Sequence, residues 1–116
     1  MKEQLDRIEY LASLLNKSSE TIQKTFSEIN ERFREMNLGL PTTVIVNDEL
    51  ILCYGRYKSK ESLFRLYVVK KGEEILVECI NRQEKILVYK ALGTLIENMI
   101  EELEETLTKL NIEFEE

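Results

Sequence analysis

The sequence predicts an α+β fold, a four-stranded antiparallel β-meander flanked by long N-terminal and C-terminal amphipathic helices. Three observations predict it. Apolar residues recur at helical spacing at both ends of the chain, the middle switches to a period of two, and the connections there are short and polar. The expectation is a single domain over residues 1–116, with 1–38 helical, 42–80 forming the meander and 82–110 the last helix. With 116 residues, 43% of them hydrophobic and 33% charged, the chain can build one core without a disulfide or a metal.

In the first segment Leu5, Ala12, Ser19, Phe26 and Phe33 recur every seven residues, and Ile8, Leu15, Ile22, Ile29 and Met36 form a second series offset by three. This a/d pattern is sustained for more than four heptads. Ser19 is its one polar member, and a serine in Asn16-Lys17-Ser18-Ser19-Glu20 could cap a new helix. Two readings stay open: one helix over about 3–37, or two helices broken near Ser18. The flanking heptad positions carry little charge, against a parallel zipper. Gly39 and Pro41 punctuate the end.

Four strands follow. Thr42–Val46 is β-branched and runs into an Asn47-Asp48 turn. Leu50–Tyr57 alternates and leads to a polar turn at Lys58-Ser59-Lys60-Glu61. Leu63–Val69 places Phe64, Leu66 and Val68 on one face, with Arg65 and Tyr67 on the other. After a Lys71-Gly72 turn, Glu74–Ile80 is expected to point Ile75, Val77 and Cys79 inward. The last helix opens on Asn81 followed three residues later by Glu84, a capping-box pattern. Its stripe runs Tyr89, Leu92, Ile96, Met99, Leu103, Thr106 and Leu110, widened by Leu95, Ile100 and Leu107. Gly93 interrupts it, which suggests close packing against another backbone.

Lengths sharpen this. A strand of about eight residues spans ~27 Å. A helix over 82–110 spans ~43 Å and an unbroken one over 3–37 ~50 Å. Either helix overhangs the sheet by ~15–20 Å, and apolar overhang needs cover. A homodimer with pooled helices is the simplest cover, and Phe26, Ile29, Phe33, Ile96, Met99 and Leu103 are the candidate oligomer or partner face.

Charge is uneven: net −1 over residues 1–41, +2 over 42–90 and −7 over 91–116. The acidic end is a solvated helix face or a surface for a basic partner. Direct nucleic-acid binding is disfavoured for a chain of net charge −6. No apolar run approaches the ~20 residues of a membrane span, and the charged, amphipathic start does not read as a signal peptide. Cys53 and Cys79, both in predicted strands, read as reduced, half-buried packing residues of a cytoplasmic protein.

Catalytic chemistry has little to build on. The chain has no His, which removes the commonest general base and the commonest metal ligand. The four glycines are scattered singly, without a phosphate loop. No catalytic residue, metal site or cofactor is predicted. The most suggestive cluster is Tyr54, Arg56, Tyr57, Arg65 and Tyr67, with Lys58 and Lys60 beside it, expected side by side on the wetter face of the sheet. Arg beside Tyr suits a protein hot spot or an anionic ligand, although Tyr is also simply a good strand former.

Leu52-Cys53-Tyr54-Gly55-Arg56-Tyr57, Leu63-Phe64-Arg65-Leu66-Tyr67-Val68 and Arg82-Gln83-Glu84-Lys85-Ile86, with Ala91-Leu92 and Leu95-Ile96, carry a resemblance. Over about residues 50–100 the chain is similar to small bacterial and phage α+β proteins. Their hairpin reads L-G-[FYW]-x-[KR] and is followed by an R-E-x-[KR]-I-x-A-x-x-x-L helix. Cys53 stands at the Gly position and Gln83 is an extra residue. The resemblance implies a small accessory protein of a mobile element and lends no activity. The expected function is a non-enzymatic protein-interaction or regulatory module, such as a phage- or mobile-element-encoded inhibitor docking on a basic surface. The alternative is a protein that binds a small anionic molecule or nucleotide with Arg and Tyr of the sheet.

Overall fold

The computed structural model describes residues 1–59 and 64–114. Its first element is one unbroken helix, α1 (Lys2–Met36). The break considered near Ser18 is absent, and the helix accommodates the local hydroxyls. Ser19 Oγ donates to the Leu15 carbonyl at 3.0 Å, Thr21 to that of Lys17 and Thr25 to that of Thr21. Bonded back onto the preceding turn, these side chains stop competing with the helical ladder. α1 ends before the predicted glycine, because Asn37 adopts the left-handed conformation (φ 52°, ψ 47°) and returns its N–H to the Arg34 carbonyl. Asn is one of the few side chains that tolerate this conformation.

The meander is as expected: β1 (Thr42–Asn47), β2 (Leu50–Arg56), β3 (Phe64–Lys70) and β4 (Glu73–Leu76) form one antiparallel sheet in the order β1-β2-β3-β4. Asn47 Oδ1 accepts from the Glu49 N–H at 2.9 Å to fix the first turn. Lys71 and Gly72, both at positive φ (52° and 79°), make the tight turn before β4. Tyr57–Ser59 form a short turn kinked at Lys58, which adopts the left-handed conformation (φ 53°, ψ 24°). The rest of the predicted polar turn, Lys60 and Glu61, and the predicted strand start at Leu63 lie outside the described residues.

β4 is shorter than predicted. After Leu76 the chain enters a 3-10 turn, Val77–Cys79. A period of three replaces the strand period of two, so Val77 and Ile80 are buried while Cys79, expected inward, is exposed. Because β4 pairs back only as far as Tyr67, the Leu66 N–H takes Asn30 Oδ1 of α1 at 2.7 Å instead.

The second helix, α2 (Arg82–Lys109), starts with the predicted capping box: Asn81 accepts from the Glu84 N–H and Glu84 from the Asn81 N–H. Its buried face runs Val88, Leu92, Leu95 and Met99, turned from the predicted stripe so that Val88 is inside and Tyr89 outside. Nothing lies within 4 Å of the place a Gly93 Cβ would occupy, so within this chain the glycine serves no close approach.

Both helices cover the same face of the sheet. Leu50, Leu52 and Tyr54 of β2 and Leu66 and Val68 of β3 meet Phe26 of α1 and Val88 and Leu95 of α2 in one core. The helices run in the same direction. Arg82 at the start of α2 donates to Asn16 of α1 at 3.0 Å, and Glu102 near its end accepts from Thr42, whose strand partner Tyr54 packs on Phe33. Among the described residues no helix covers the opposite face of the sheet, and Ile45 there is 79% exposed.

Candidate functional site

A helix whose apolar stripe outruns its sheet leaves that stripe in water, and α1 does so at its N-terminal end. Arg82 meets α1 at Asn16, and the helix continues for residues 2–15, ~21 Å at 1.5 Å per residue. Leu5 (59% exposed), Ile8 (63%), Leu11 (46%) and Leu15 (40%) stand there uncovered. Leu5, Ile8 and Leu15 continue the heptad stripe that, two turns further on, buries Ile22 and Phe26 against the sheet, and Leu11 flanks it.

Size measures agree. The molecule extends 67 × 34 × 26 Å with a radius of gyration of 17.6 Å, against about 13 Å for a compact chain of this length. Its accessible surface is 8663 Å², against about 6,600 Å² from the scaling for a 13.7-kDa monomer. The excess of roughly 2,000 Å² exceeds the ~800 Å² that each partner of a standard interface buries.

The six residues expected to form the partner face fall differently. Phe26 and Met99 are core residues, and Ile29 and Phe33 pack against the core. Ile96 and Leu103 are half-buried on α2. They are the sheltered stretch of each stripe, so the open surface lies elsewhere on α1, at Leu5, Ile8, Leu11 and Leu15. The period of the pattern shows which residues share a face, and only the tertiary docking point says where cover stops.

The Arg/Tyr cluster is also divided. Tyr54 and Arg56 alternate with Cys53 and Gly55 and therefore sit on the helix side, where Tyr54 is 2% exposed, edge-on to Phe33 at 5.0 Å and beside Phe64 at 5.6 Å. Arg65 and Tyr67 point to the open face, where Arg65 meets Glu78 at 3.7 Å and Tyr57 pairs with Tyr67 at 5.8 Å. The five residues thus do not form one site. Tyr54 and Arg56 instead join Phe33, Arg34, Asn37 and Phe64 around a cavity of about 200 Å³ at the C-terminal end of α1. Arg34 belongs to no motif, and only the docking of α1 on β2 brings it there.

Burial pushes the Cys53 thiol up to about 11 and the Tyr67 phenol up to about 12, so both are neutral at pH 7. Among the described residues no three His, Cys, Asp or Glu side chains are grouped to hold a metal ion, and no helix is long and apolar enough to cross a membrane. No family model, curated protein or solved structure matches this chain.

Proposed function

We propose that this protein is a non-enzymatic interaction module that works by assembling through the overhanging half of α1, in the first instance with a second copy of itself. The uncovered stripe Leu5–Leu15 carries the reading. Exposed apolar surface of this extent on one face marks an interaction site, and the surplus area accommodates a dimer interface.

Charge favours self-association at this end. Residues 1–18 hold three cations and three acids, so two copies meeting there do not repel. The acidic residues 97–105 of α2 lie toward the opposite end of the 67 Å long axis, which keeps like charges apart in a tip-to-tip pair. That arrangement also leaves the acidic end of α2 free for a basic partner, the role a mobile-element inhibitor would need.

Ile8→Glu tests the reading, since glutamate preserves helix propensity at a position that touches no core residue. The wild type is expected to associate toward a dimer between about 1 and 100 µM, and dimerisation is expected to be at least about tenfold weaker in Ile8→Glu. Equal association of the two proteins would remove the overhang from the interface.

A further inference from the structure

We propose that the cavity at the C-terminal end of α1 binds a small oxyanion carried on a single aromatic ring. Two arginines face it: Arg34 from the last turn of α1 and Arg56 from the end of β2. No Asp or Glu stands among its described lining residues, although the chain has 22 acids against 16 basic residues. Neither arginine forms an ion pair among the described residues. Two guanidiniums lining one cavity, with no carboxylate among its described lining residues, repel each other, and an anion between them removes that repulsion.

The walls define the rest of the ligand. Phe33, Tyr54 and Phe64 pack as one aromatic group, and Arg56 lies over Phe64 with its Cζ 5.9 Å from the ring centroid. Arg56 is therefore held in place by stacking while its donors stay available. The partial negative charge of the α1 C-terminus, about half an elementary charge, opposes an anion but is outweighed by two full positive charges. Volume limits size: about 200 Å³ falls below the ~300–1,000 Å³ of pockets for drug-sized ligands. A single ring with one carboxylate or phosphate group fits that limit, whereas a whole nucleotide would leave most of itself outside.

The test is amide NMR titration with benzoate, phenyl phosphate, inorganic phosphate and uncharged benzamide. Saturable shifts confined to residues 33–39, 54–56 and 64 are expected for benzoate or phenyl phosphate. Benzamide is expected to bind at least about tenfold more weakly, as befits loss of a charge-assisted hydrogen bond. Inorganic phosphate, lacking the ring, should also bind more weakly. Arg34→Met and Arg56→Met keep the stems and should each weaken the ring anions about tenfold, while Arg7→Met on the overhang leaves them unchanged. Shifts scattered over the surface, no saturation with any ring anion, or equal binding of benzoate and benzamide would overturn the proposal. The last comparison needs only the wild type, so it stands even if a variant fails to fold. Because this end of α1 lies away from the overhang, its outcome is independent of dimerisation.

Discussion

The two halves of α1 carry the same heptad repeat and have opposite fates. Residues 22–33 lay Ile22, Phe26, Ile29 and Phe33 on the sheet and α2, whereas residues 5–15 present Leu5, Ile8, Leu11 and Leu15 to water. One continuous backbone and one continuous stripe thus serve two purposes. Amphipathic periodicity dictates that a face needs cover, and the geometry of the neighbouring layer decides whether the chain supplies that cover itself. Strands of six or seven residues cannot do so for a helix of 35.

The sharpest way to break this contrast is to truncate one residue in each half. Phe26→Ala, at 1% exposure, should cost about 3–5 kcal/mol in denaturant unfolding. Ile8→Ala should change the stability of the dilute monomer by less than about 0.5 kcal/mol. Similar losses in both would mean the overhang folds back onto the body. Next in size is Asn30→Ala, which strands the Leu66 N–H at the edge of β3. A loss of about 1–3 kcal/mol is expected, while the same change at Asn16, whose partner Arg82 is exposed, should be nearly silent.

Gly93→Ala follows, with an expected gain of up to about 1 kcal/mol from helix propensity in open space. Destabilisation there, measured under conditions where the protein is dimeric, would place a partner's backbone against α2 rather than α1. The smallest effect concerns acid. The Lys70 ammonium, 2.8 Å from Glu84, and the Asn81 N–H hold the Glu84 carboxyl below its ordinary 4.5. A carboxyl depressed in the folded state adds stability above its unfolded pKa, and this is lost as pH falls through the folded value. Stability should therefore decline modestly from about pH 4.5 downward, and Glu84→Gln should remove that part of the decline.

Much of the architecture was legible because each signal was local. The Asn81–Glu84 capping box and the Lys71-Gly72 turn each reside in a few neighbouring residues and appear where expected, and the alternation of Leu50–Tyr57 gives a strand that ends one residue earlier, at Arg56. Errors arose where tertiary contacts decide. Ser19 looked like a cap because its bond back to Leu15 depends on the helix already continuing. Val77–Cys79 looked like strand because apolar residues two apart do not reveal a 3-10 turn. Alternation along β2 correctly divides Tyr54 and Arg56 from their neighbours, but which face the helices cover is not written in the strand. The strand pattern alone thus puts Tyr54 on the wet face, whereas the docked helices make it a core residue. Nothing around Arg34 in sequence hints that Arg56, 22 positions away, shares its cavity.

Sedimentation equilibrium from about 1 to 100 µM tests the central claim most directly. If residues 5–15 are a face built to be covered by a second copy, the mass should rise from one chain toward two across this range, and Ile8→Glu should stay at one. A wild-type mass of one chain at every concentration would contradict the account.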